Sequence, residues 1–93
     1  MPLSDTESRA LLELLKENGL PISELQKRSK ISGSVISKIV DSLKEKGLVE
    51  DKYEMEGRTR KRLIYLTEKG KKVAELLNQI ESYLPSSTVS DKP

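Results

Sequence analysis

Four cations fall within five positions at Arg58-Thr59-Arg60-Lys61-Arg62, just after Glu56-Gly57. Charge at that density repels itself unless an anion lies against it, so the segment points to a polyanionic partner. A second set, Ser34, Val35, Ser37, Lys38, Asp41 and Ser42, combines hydroxyls, one ammonium and a small apolar group. These are groups that can bond base edges or phosphates and meet a thymine methyl, with Asp41 placed to orient Lys38 rather than face DNA itself. A third set, Lys27, Arg28, Lys30 and Ser32, lies just upstream, where it would position a duplex backbone without reading its sequence.

The missing residue types exclude more. The chain has no Cys and no His. Zinc fingers, iron–sulfur sites, disulfides, thiol switches and imidazole-based catalysis are therefore outside its reach. Glu54 and Glu56 lie two apart and Glu50-Asp51 opens a strand pattern, all facing solvent with no apolar pocket to raise a carboxyl pKa. No Gly-x-Gly-x-x-Gly or lysine-terminated glycine loop is present. The expectation is a protein that is not an enzyme and takes no cofactor or metal. A small-molecule effector is not implied, and stays open.

The net charge of +2 says little, but its distribution says more. Residues 22–62 hold eleven Lys/Arg against seven Asp/Glu, whereas residues 1–21 hold two against four and residues 63–93 hold four of each. A surplus confined to the middle is what a surface meeting a polyanion needs. The longest apolar run is Leu63-Ile64-Tyr65-Leu66, far below the roughly 20 residues of a membrane span, so no membrane partner and a cytoplasmic location are expected.

These sets must be held by regular elements. Ser4-Asp5-Thr6-Glu7 has capping-box spacing, and Ala10, Leu11, Leu14 and Leu15 give one apolar face until Asn18-Gly19. A short helix follows over roughly Ile22 to Ser29, with Ile22 and Leu25 inward. After the break at Lys30-Ile31, Ser32 is the candidate N-cap of a helix from Gly33 to Lys46 in which Ile36, Ile39, Val40 and Leu43 point inward. The period then changes. Residues 48–53 and 62–66 read as strands around a polar loop at 54–61, a hairpin in which Arg62 can return to Glu50 or Glu54. Thr67 caps a last helix to Leu84, whose stripe of Val73, Leu76, Leu77, Ile80 and Leu84 exceeds what one small core needs to cover.

Helix, short helix, turn, helix and basic hairpin is the order of a winged helix-turn-helix, an α+β fold. The chain resembles the winged-helix DNA-binding domain of the MarR family of transcriptional regulators over roughly residues 5–72. The resemblance is carried by residues 25–32 (LQKRSKIS), by residues 34–49 (SVISKIVDSLKEKGLV), and by the exit Leu66-Thr67-Glu68-Lys69-Gly70. Members of that family carry further helices on both sides of the DNA-binding part; with almost nothing before Ser4 and one expected helix after the wing, this sequence looks like the reading head of such a regulator with a reduced dimerisation element. Their Asp-x-Arg near the wing tip stands here as Glu56-Gly57-Arg58.

The combined expectation is a DNA-binding winged helix over 1–66, a C-terminal dimerisation helix over 67–84 and a disordered tail over 85–93. It would act as a homodimeric regulator of transcription, most simply a repressor, on double-stranded DNA. The helix at 33–46 would read the major groove, the wing would meet DNA through Arg58, Arg60, Lys61 and Arg62, and Val73, Leu76, Leu77, Ile80 and Leu84 would form the dimer interface. The alternatives are a winged helix used to bind protein and a weakly specific, chromatin-like DNA binder.

Overall fold

A computed structural model of the 93-residue chain describes residues 3–84; the tail at 85–93 lies outside the described residues. The first helix, α1 (Asp5–Lys16), starts at Ser4, whose Oγ accepts from the Glu7 amide while the Glu7 carboxylate accepts from the Ser4 amide. That is the capping box, which satisfies two otherwise orphaned donors of the first turn. Ala10, Leu11 and Leu14 turn inward at helical spacing. A two-residue strand, β1 (Leu20–Pro21), leads into α2 (Ile22–Ser29), which ends with Lys30 in the left-handed region at φ 57°.

The third helix, α3 (Gly33–Glu45), begins after Ser32 and buries Ile36, Val40 and Leu43, with Ile39 packed at the edge of the core. Ser32 occupies the N-cap position, but its side chain makes no capping bond and instead lies 3.3 Å from the Ser34 hydroxyl. Two strands follow, β2 (Val49–Glu56) and β3 (Thr59–Leu66), paired antiparallel from Val49↔Leu66 to Glu56↔Thr59. β1 adds to the far side of β3 through Leu20↔Ile64, giving the order β1-β3-β2.

The sheet differs from the sequence expectation in two respects. The eight-residue polar loop is instead strand almost to its tip, with a turn of only Gly57 and Arg58. A two-residue hairpin turn needs positive φ at its first central residue, and Gly57 supplies it at 64°. β1 went unread because two residues, one of them proline, carry no alternation to detect. Its position is fixed from outside, since the Leu66 amide donates to Asn18 Oδ1 at 2.8 Å.

The last helix, α4 (Glu68–Tyr83), is capped by Thr67, whose hydroxyl accepts from the Gly70 amide and donates to the Gly47 carbonyl. Gly70 lets α4 press on the chain leaving α3, because a Cβ at this position would sit 1.9 Å from the Leu48 carbonyl oxygen. Beyond that contact Ala74 and Leu77 enter the same core as Leu11, Leu14, Leu25, Val40 and Ile64. Leu77, expected at a dimer interface, is thus buried in the core of the chain itself, and Val73 is partly so. The apolar positions of α4 form two stripes rather than one. Leu76, Ile80 and Tyr83 remain exposed, on average about 120° around the helix from the buried set, and Leu84, also exposed, stands just past the last turn.

Candidate nucleic-acid interface

The outer surface of α3 divides into a pinned half and a free half. Toward its C-terminus, Ser42 Oγ donates to Glu7 at 2.5 Å and Lys46 Nζ reaches both Glu7 oxygens at 3.0 and 2.8 Å. Burial acts on the Glu7 carboxyl most strongly and would raise its pKa. The hydrogen bonds from Lys46, Ser42 and the Ser4 amide, with the Lys46 charge, together outweigh burial and hold it at about 2. Ser42 therefore faces α1, which corrects its placement among groove-reading residues. Neighbouring Lys44 is also engaged, with Asp51 of β2 at 3.2 Å.

Toward the N-terminus, Ser34, Val35, Ser37, Lys38 and Asp41 are all exposed. Among the described residues neither Lys38 nor Asp41 has an ion-pair partner, so the expected Lys38–Asp41 contact does not form in the free protein. The inward positions at 36, 40 and 43 leave this face to solvent along the first two turns, the part of a recognition helix that reaches base edges in a major groove.

The cations around α2 are unequal. Lys27 and Lys30 are exposed and free of ion pairs among the described residues, and Ser32 is exposed beside them. Arg28 is bound to Glu17 at 2.8 Å and lies 3.6 Å from Glu24; the Glu17 contact raises its pKa further. Its charge is largely answered within the protein.

The wing cations also separate. Arg62 donates to Asp51 at 2.7 Å, not to Glu50 or Glu54 as expected, because antiparallel register sets it diagonal to Asp51 on one face. With Lys44 on the same carboxylate, Asp51 is held below the usual carboxylate range although its partial burial pulls upward. Lys61 is paired with Glu56 at 2.8 Å. That leaves Arg58 at the turn, with no ion-pair partner among the described residues, and Arg60, whose guanidinium carbon lies 4.3 Å from the centre of the Tyr53 ring. Glu54 and Glu56 stand on the opposite face of the hairpin from Arg60.

Sequence reasoning missed the Glu7–Ser42–Lys46 tie and the Tyr53–Arg60 stack. The first joins residues 35 and 39 positions apart and leaves no local signal. The second was within reach, since a two-residue turn at Gly57-Arg58 fixes the register that places Tyr53 beside Arg60. An open groove of about 510 Å³ also runs between α1, the end of α2 and α4, lined by Leu12, Leu15, Lys16, Arg28, Ser29 and Asn78. Among the described residues no cluster of potential metal ligands forms, and no helix is long and apolar enough to cross a membrane.

The family model described as MarR family matches residues 1–54 of the chain. Among solved structures, the fold is similar to that of a MarR-family transcriptional regulator from Silicibacter pomeroyi, with 28% identity and a TM-score of 0.77 over 99% of this chain and 62% of that one. It is also similar to the PcaV transcriptional regulator from Streptomyces coelicolor in complex with its natural ligand, at 22% identity and a TM-score of 0.80, covering 98% and 64% of the two chains. A zinc-responsive MarR family member, ZitR from Lactococcus lactis, shows 23% identity and a TM-score of 0.78 over 92% and 58%. The last two bear on the fold alone. No curated protein matches the sequence. The chain spans about 62% of the length of the Silicibacter protein.

Proposed function

Because the chain belongs to the MarR family, we propose that it binds double-stranded DNA as a homodimeric regulator of transcription. The observation that carries this reading is the free outer face of α3, with Ser34, Val35, Ser37 and Lys38 exposed while the rest of the helix is tied down. In this reading the N-terminal half of α3 lies in the major groove, and Lys27, Lys30 and Ser32 follow the backbone. Arg58 and Arg60 approach flanking phosphates or the minor groove, with Lys61 and Arg62 contributing less because they are already paired.

One such helix reads roughly four base pairs, too few to select an operator, and two-fold pairing places two of them about 34 Å apart along the duplex. The exposed stripe of Leu76, Ile80, Tyr83 and Leu84, edged by Val73, is the surface for that pairing, since clustered apolar groups at helical spacing lose hydration when a second copy covers them. A dimer bound across a promoter excludes polymerase, which makes repression the simplest mode of action. Neither catalysis nor a cofactor forms part of this role, and a cytoplasmic location goes with it. No effector is assigned. Of the cations lining the groove beside α1, Lys16 and Arg28 already pair with Glu13 and Glu17, whereas Lys30 has no ion-pair partner among the described residues.

The test is selection from random duplexes, followed by affinity measurements on the enriched and bulk sequences over a range of salt. The expected result is an enriched sequence with two half-sites about one helical turn apart, bound at least about 10³-fold more tightly than bulk DNA at physiological salt. Affinity for both should fall steeply as salt rises, because the cations displace condensed counterions. Binding without enrichment would favour the chromatin-like alternative, and no binding would favour a protein-interaction module.

A further inference from the structure

The two faces of the hairpin differ in chemistry. Register puts Val49, Asp51 and Tyr53 with Leu66, Ile64, Arg62 and Arg60 on one face, and Lys52, Glu54 and Glu56 with Leu63 and Lys61 on the other. The first face is the one that meets the core and α3, because Val49, Ile64 and Leu66 are buried and Lys44 reaches across to Asp51. Followed outward past Asp51, that face reaches Tyr53, which is 54% exposed, and Arg60 stacked on its ring. Tyr53 buries too little area for a core residue. What it does contact is a guanidinium, and the ring's negative face attracts the cation without neutralising it.

A free arginine on a strand end samples many rotamers and loses that freedom when it meets a phosphate. An arginine paired with a carboxylate is ordered, but its charge is answered. Stacking on an aromatic ring orders the side chain and leaves its charge and its edge donors available. The contrast within this one hairpin is direct: among the described residues Arg62 is ordered by Asp51, Lys61 by Glu56, and Arg60 by Tyr53 alone.

We propose that Tyr53 is a positioning residue whose ring holds the Arg60 guanidinium on the face of the wing continuous with α3, poised for a DNA phosphate. The proposal rests on the DNA-binding reading above and adds to it a residue that needs no contact with DNA itself.

The experiment measures affinity of the full chain for its selected duplex, together with thermal unfolding, for wild type, Tyr53→Phe, Tyr53→Leu, Arg60→Ala and the Tyr53→Leu/Arg60→Ala pair. Tyr53→Leu should weaken binding about 3–10-fold, the range of a partly exposed cation–π contact. Tyr53→Phe, which keeps the ring, should stay within about twofold of wild type, and Tyr53→Leu should cost nothing further once Arg60 is Ala. All variants should unfold near the wild-type temperature, because the site lies outside the core. An unchanged Tyr53→Leu affinity would overturn the proposal, as would an equal loss in the Arg60→Ala background. A loss in Tyr53→Phe as large as in Tyr53→Leu would also overturn it, assigning the effect to the hydroxyl. Wild type that binds no duplex at all would instead overturn the DNA-binding reading beneath it.

Discussion

Replacing Leu76 and Ile80 together by Lys should leave a folded monomer whose affinity for a two-half-site duplex is about 10²–10⁴-fold below wild type. Both side chains are about half exposed in the protomer, at 59% and 48%, so charging them removes little from its core. In the proposed dimer they lose the partner surface, and with it the gain of tethering two recognition helices on one duplex, which is worth that range in affinity. Leu77 makes the contrasting control: at 6% exposure it belongs to the core, and a lysine there should unfold the protein rather than dissociate it. Sedimentation and DNA affinity on the same samples separate the two effects. A wild type that sediments as a monomer at about 100 μM would remove the stripe from the interface.

Glu7→Gln should destabilise the fold by about 3 kcal/mol at neutral pH, from a carboxyl whose pKa is about 2 in the folded chain against 4.5 ordinarily. The side chain is nearly fully buried and its charge is met by Lys46, Ser42 and the Ser4 amide, none of which an amide satisfies as well. Because the folded-state value is depressed, this stabilisation is fully present above the unfolded value and is lost as pH falls from about 4.5 toward 2. The difference in stability between wild type and Glu7→Gln, measured by urea unfolding, should therefore shrink across that window and be small at pH 2. A difference that stays constant from pH 7 to pH 2 would show that the carboxylate charge does not carry the effect. The same change bears on function, since Glu7 joins the first turn of α1 to the last turn of α3 and so helps set the tilt at which α3 is presented.

The helices were legible because their signals are local. Ser4 and Glu7, Thr67 at the start of α4, and the spacing of Ile36, Val40 and Leu43 state starts and buried faces within a few residues. The wing was read too short because charged residues occupy both of its faces beyond Asp51, which hides alternation in a hydropathy pattern even though the backbone pairs as far as Glu56 and Thr59. β1 is defined only by its partner strand. The stripe on α4 was read as one because a helical repeat does not say which of two adjacent faces meets the core, a choice made by Gly70, Ala74 and the packing of α1. At the candidate site, the residues singled out on α3 are exposed apart from Ser42, which lies half-buried against Glu7. What sequence could not show was which cations are already answered: Arg28, Lys61 and Arg62 find their carboxylates through tertiary contact or strand register.

If the exposed N-terminal half of α3 reads base edges, as proposed, Lys38→Ala should reveal it. The measurement is its affinity relative to wild type on two duplexes of equal length, one selected by the protein and one random. A base contact distinguishes the two and a phosphate contact does not. The predicted result is a loss of about 1–3 kcal/mol on the selected duplex and much less on the random one. Equal losses on both would make Lys38 a phosphate clamp rather than a base reader, and no loss on either would place the DNA away from α3.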